Sequence, residues 1–177
     1  MHKFGFGIIP ENEFYAELEQ LINTYSKKFS TPSFLPHLTI YRDEINSKKA
    51  IVAKVNTAAK QIQPFKIEIG DVEFSTTLHQ CVFARMKTSA QIMNAHLMMK
   101  KVFHNNDSHV FMPHASIVYG DLSMETREKI SQEVHLHSKS FMAKKITIFL
   151  CDSNKPEEWG IEEQIELKKC SYAHYLY

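Results

Sequence analysis

The chain has little of what several protein classes need. Three of its 177 residues are cysteine, Cys81, Cys151 and Cys170, an odd number with no CxxC spacing. That pattern reads as reduced thiols in or near a core, and so as a cytoplasmic protein. No stretch approaches the ~20 apolar residues of a membrane span, and the apolar run at residues 1–10 is too short for a signal peptide. No membrane partner is expected. Charge of either sign is nearly absent in the balance: 21 Lys and Arg stand against 20 Asp and Glu, a net +1. A large basic face for long nucleic acid is therefore not expected, whereas a small anionic ligand held by a few groups is. Linker-like and low-complexity tracts are also missing. With 44% hydrophobic and 23% charged residues, residues 1–177 read as a single domain with its own core. A monomer is expected.

What is present is a repeat. Phe34-Leu35-Pro36-His37-Leu38-Thr39-Ile40 and Phe111-Met112-Pro113-His114-Ala115-Ser116-Ile117 share the pattern F-x-P-H-x-[S/T]-I. In a strand, residues i and i+2 point to the same face. His37 and Thr39 therefore share one face, with Leu38 and Ile40 on the other, and His114 and Ser116 share a face opposite Ala115 and Ile117. Proline before each histidine suits a strand start or an edge. Side by side, the two segments would converge two imidazoles and two hydroxyls on one pocket. Histidine titrates near neutrality, so the pair has the means to take one proton and give another.

The periodicity around the repeat predicts strands at 3–9, 36–42, 65–69, 80–86, 113–119, 141–151 and 161–168, and helices at 11–29, from Ser47 to about Ile62, at 89–103 and at 123–134. The first helix carries Phe14, Leu18, Leu21, Ile22, Tyr25 and Phe29 on one face; Ser47 is a candidate cap of the second. Asp152 to Gly160 reads as a polar turn in which Trp159 packs on the sheet, with base stacking as its alternative role. The order β-α-β-α-β-β-α-β-α-β-β is an α+β layout with antiparallel-rich sheets and helices outside. One motif in each half predicts two pseudo-equivalent lobes around a central cleft, with one histidine from each. Met93, Met98, Met99 and His96 read as packing on the third helix. His135-Leu136-His137 is a candidate metal pair, but no cysteine or carboxylate nearby completes a ligand set. No metal or other cofactor is expected.

The two motifs resemble the signature of the 2H phosphoesterase superfamily, two copies of H-x-[S/T]-x with apolar flanks. The continuation Ile117-Val118-Tyr119-Gly120-Asp121-Leu122 is similar to its cyclic phosphodiesterase branch. The resemblance implies a bilobal α+β fold with a central cleft, no required metal, and chemistry on ribose cyclic phosphodiesters. It implies His37 and His114 as the catalytic pair and Thr39 and Ser116 as holders of the phosphate oxygens. Tyr119 matches a position of a substrate-side aromatic, and Phe6 stands in the stretch where some members place a tryptophan for the nucleobase. Tyr119 lies five positions after His114, so a regular strand would turn it to the opposite face; a bulge or strand end is needed to bring it to the pocket.

Opening a cyclic phosphate on ribose needs a base for water and an acid for the leaving oxygen. Each proton transfer is worth ~10²–10⁴ in rate, and hydroxyls on the non-bridging oxygens hold the charge. A small nucleotide with a cyclic phosphate is the expected partner. Two alternatives stay open: an enzyme for RNA ends or 2′,5′-linked oligonucleotides, and a non-catalytic nucleotide-binding module.

Overall fold

The computed structural model describes residues 2–105 and 110–168; Cys170 and His109 lie outside them. In chain order the elements are β1 (His2–Ile8), α1 (Asn12–Phe29), β2 (Leu38–Ile45), α2 (Lys48–Ala59), β3 (Phe65–Phe74), β4 (Val82–Met86), α3 (Ala90–Phe103), β5 (His114–Val118), α4 (Met124–Glu133), β6 (Ser140–Ala143), β7 (Lys145–Leu150) and β8 (Gly160–Glu166). Serine begins three of the helices. The side chains of Ser47, Ser89 and Ser123 accept from the backbone N–H of Ala50, Ile92 and Thr126, which satisfies a donor that the first turn leaves free. The stripe of α1 buries Phe14, Leu18, Ile22 and Tyr25, as its spacing predicts.

The strands form one antiparallel sheet in the order β6-β3-β4-β5-β2-β1-β7-β8. The motif strands β2 and β5 are its central pair. On one side, β2, β1, β7 and β8 are backed by α2 and α3; on the other, β5, β4 and β3 are backed by α1 and α4. These are the two lobes, and they supply one motif each. They are not the two halves of the chain: α1 crosses from the first lobe to cover the second, and α3 crosses back.

The stretch expected as one strand, 141–151, is two. β6 pairs with β3, whereas β7 lies between β1 and β8. Only Lys144 separates them, although they stand first and seventh in the order. The sheet must therefore curl until those positions meet, and a break of one residue carries the chain between lobes. Phe141 and Ala143 are buried on one side of the break and Ile146 and Ile148 on the other, so the apolar alternation slips by one residue at Lys144-Lys145.

Each motif strand also carries an extra residue. Between β1 and β2, Phe6 pairs with Tyr41 but Gly7 pairs with Thr39, leaving Ile40 over. Between β4 and β5, Val82 pairs with Val118 but Phe83 pairs with Ser116, leaving Ile117 over. The isoleucine that closes each motif is thus a β-bulge. Both isoleucines are buried, and each bulge shifts the alternation of the residues that follow by one.

Candidate active site

β2 and β5 meet through Leu38 and Ala115. In an antiparallel ladder the neighbours of that pair face each other as well. His37 therefore stands opposite Ser116, and Thr39 opposite His114. All four lie on the face turned away from Leu38 and Ala115, which are fully buried. Side chains directly opposite start ~5 Å apart and diagonal ones ~7–8 Å, so the imidazoles sit across a diagonal with a hydroxyl beside each.

The two histidines are held alike. Nδ1–H of His37 donates to the Leu35 carbonyl at 2.6 Å, and Nδ1–H of His114 donates to the Met112 carbonyl at 2.8 Å. A carbonyl only accepts, so the proton of each neutral ring is on Nδ1 and the lone pair is on Nε2. Each ring also has a phenyl neighbour. Phe149 of β7 lies 5.0 Å from His37, and Phe83 of β4 lies 5.2 Å from His114. Phe149 reaches His37 across Gly7, where a Cβ would stand 3.1 Å from its ring. Burial is the main cause that lowers both imidazole pKa values below the usual 6.5, and the carbonyl bonds oppose it in part. His114 and Arg42 lower His37 further; Arg42 and Arg85 lower His114 further. The neutral rings dominate at pH 7.

The hydroxyls differ. Thr39 is half-buried, and its side chain makes no hydrogen bond with the described residues. Ser116 is buried, and its hydroxyl donates to the His79 carbonyl at 2.9 Å. The Tyr119 hydroxyl bonds Ser116, and burial pushes its pKa up to about 12. The bulge at Ile117 is what turns Tyr119 to this face, where its ring stacks on Phe34 at 3.8 Å. Phe6 is not brought to the site. It is 0% exposed and packs against Tyr41 and Phe103 of α3 on the helix side, because the glycines that flank it, not Phe6, share the phase of Thr39. Phe6, expected to contact substrate, is instead a core residue on the opposite face of the sheet.

Four further residues belong here that the repeat did not single out. Trp159, expected as sheet packing, stands 6.5 Å from His37, 6.2 Å from His79 and 6.3 Å from Tyr119. His79, on the β3–β4 turn, meets Tyr119 edge-on at 5.0 Å. Arg42 acts electrostatically on His37, His79, His114 and Tyr119. It is exposed and makes no ion pair among the described residues. Its signal was in the sequence: it lies five residues after His37, as Tyr119 lies five after His114. Arg127 of α4, 2% exposed, donates to the carbonyls of Leu122 at 2.8 Å, Ser75 at 2.6 Å and Thr77 at 3.0 Å, and reaches Gly120 and Asp121 at 3.4 and 3.5 Å. It ties the turn that carries His79 to the segment after Tyr119. A charge in the apolar stripe Arg127, Ile130, Val134 was its signal. His135 and His137 are exposed on the connection before β6, and among the described residues no three of His, Cys, Asp and Glu come together as metal ligands. No helix among the described residues is long and apolar enough to cross a membrane.

A curled antiparallel sheet with a histidine–hydroxyl pair on each of its two central strands defines a 2H phosphoesterase fold. A family model described as "Cyclic phosphodiesterase-like protein" matches residues 8–172, and the chain belongs to that family. A cyclic phosphodiesterase of Arabidopsis thaliana is 22% identical over 127 residues, 72% of this chain and 70% of that protein. Among solved structures, apo LigT of E. coli superposes with TM-score 0.66 at 13% identity, covering 95% of this chain and 98% of that one. A protein of Thermus thermophilus gives TM-score 0.66 at 13% identity, covering 93% and 97%. LigT has also been solved with 3′-AMP and with ATP. The chain is a phosphoesterase.

Proposed function

We propose that this phosphoesterase hydrolyses a ribose cyclic phosphodiester, a nucleoside 2′,3′-cyclic phosphate or an ADP-ribose 1″,2″-cyclic phosphate, with His37 and His114 as base and acid. The observation that carries the reading is the Leu38–Ala115 pair, whose register brings the two imidazoles to one face of the central strands, diagonal to each other. His37 is the more buried ring (8% exposed, against a half-buried His114), so a proton costs more on it. Neutral His37 is therefore the base and His114, as imidazolium, the acid. Water attacks phosphorus and gives its proton to Nε2 of His37. The bond from phosphorus to one ribose oxygen breaks, and that oxygen takes the proton from Nε2 of His114. Thr39 donates to a non-bridging oxygen. Ser116 does so once its hydroxyl swings from the His79 carbonyl, with Tyr119 still bonded to its oxygen. Arg42 adds positive charge to that of the single imidazolium.

Trp159 and His79 offer faces on which a nucleobase stacks. The name of the Arabidopsis relative and the nucleotides in the LigT structures support a small nucleotide substrate. The net charge of +1 favours it over a long RNA. Free thiols at Cys81 and Cys151 suit a reducing compartment such as the cytoplasm, and the continuous sheet suits one domain.

A phosphorus NMR time course tests the reading on 2′,3′-cyclic nucleotides, ADP-ribose cyclic phosphate, 2′,5′-oligoadenylate and cyclic-phosphate-ended RNA. Turnover of a cyclic phosphate is expected, with kcat lower by ~10²–10⁴ in His37→Ala and in His114→Ala. An undiminished rate in either variant would refute it.

A further inference from the structure

One side chain outside the cleft touches both motif segments. His96, on α3, is 8% exposed. Its Nδ1–H donates to the carbonyl of Ile40 at 2.7 Å, and its ring lies flat on Phe111, with centroids 4.3 Å apart and planes 8° from parallel. Ile40 is the bulged residue of β2. Phe111 is the first residue of the second motif.

A bulged residue is left out of the ladder, and a buried carbonyl without a donor is costly. His96 provides that donor to a strand of the lobe α3 covers, while its ring bears on a residue leading into β5 of the other lobe. The bulge also has a consequence for the cleft. With Ile40 as the extra residue, Thr39 and Arg42 both reach the cleft face, while Tyr41 turns to Phe6 and Phe103. In a regular strand, alternation would put Tyr41 toward the cleft and Arg42 toward the helices.

We propose that His96 is a positioning residue of the active site: it pins the Ile40 bulge and the Phe111 end of the second motif together, and so fixes Arg42 on the cleft face in register with His114. The role rests on the charge assigned to Arg42 above. His96 itself touches no substrate.

Two substitutions separate its contacts. His96→Phe keeps a flat ring on Phe111 and removes the donor. His96→Asn keeps an N–H near the Nδ1 position and removes the stack. With circular dichroism and melting curves to verify folding, His96→Phe is expected to lower kcat/KM about 10-fold or more, as small misplacements in a site do. His96→Asn is expected to recover most of that loss. The decisive readout is the double variant with Arg42→Gln. If His96 works through Arg42, then His96→Phe costs little more once Arg42 is gone. Losses that multiply in full, or a His96→Phe protein as active as wild type, overturn the inference. If His96→Phe does not fold, a folded His96→Asn protein that is inactive overturns it. A wild-type protein that turns over no cyclic phosphate would end the functional reading instead. In that case the backbone amide shifts of Ile40 and Arg42 decide: shifts in His96→Phe unchanged from wild type overturn the inference, and shifts restored in His96→Asn support it.

Discussion

A close approach of backbone to backbone at the site is made by a residue with no side chain. A Cβ added at Gly7 would stand 2.8 Å from the Leu38 carbonyl oxygen and 3.1 Å from the Phe149 ring, where ordinary contact begins at 3.4 Å. The shortfall to the carbonyl is 0.6 Å, since 3.4 − 2.8 = 0.6, and that oxygen belongs to the backbone between His37 and Thr39. Phe149 can pivot, but the carbonyl moves only if β2 moves. Gly7→Ala therefore pushes the first motif away from β1 at the point where it faces β5. Overpacking of this kind costs about 1–3 kcal/mol, which for a chain of this size lowers Tm by ~2–12 °C. A shift of several tenths of an ångström at His37 and Thr39 should cost more in rate than in stability, up to ~10² in kcat/KM. Gly5 on the same strand is the control, because a Cβ there would meet the Cys151 sulfur at 3.4 Å, an ordinary contact. Gly5→Ala should stay close to wild type. The assay is cyclic-phosphate hydrolysis alongside a thermal melt. If Gly7→Ala retained full activity with an unchanged Tm, the geometry assigned to the β1–β2 contact would be wrong.

Four other expectations follow from the same site. Because both imidazole pKa values are lowered from 6.5, the state with one ring protonated peaks below pH 6.5, and so should the bell of kcat/KM; Arg42→Gln removes a lowering charge and should move it toward higher pH, and a bell centred above 6.5 in wild type would contradict this. The same direction fixes the sign for stability: the unfolded chain binds more protons as pH falls through 6.5, so Tm should drop on acidification, and less in His37→Gln, whereas equal drops in both proteins would count against it. Thr39→Ala should lower kcat/KM with little change in Tm, while Ser116→Ala should lower both, since Ser116 also anchors the His79 turn; matching melts for the two would argue against the split. Arg127→Leu leaves several buried carbonyls without a donor and should cost about 3 kcal/mol or more, and a melting temperature within ~2 °C of wild type would refute the role of Arg127 as a clamp.

Much of this site is legible from local pattern. Period-two alternation puts a histidine and a hydroxyl on one face whatever surrounds them, and the ladder places both pairs on the expected face. The serine caps and the α1 stripe are equally local. Other features escape for physical reasons. Phe6 sits in the right strand but the wrong phase. Tyr119 and Arg42 arrive in the cleft through bulges at Ile40 and Ile117, which are properties of paired strands and leave no mark in the composition of one. Lys144 divides one expected strand because its two sides pair with strands of different lobes, a change marked locally by no more than a one-residue slip in the apolar alternation. Trp159 and Arg127 act on residues distant in sequence.

By itself, then, the order of residues determined the two histidine–hydroxyl pairs, the element types and the family, because each depends on neighbours within a few positions and on the backbone's fixed periods. The tertiary structure alone decided that the pairs lie side by side on one face, that Ser116 is engaged while Thr39 has no side-chain partner among the described residues, and that Arg42, His79 and Trp159 join them. Register, bulges and burial arise only when strands far apart in the chain are laid together and water is removed from between them.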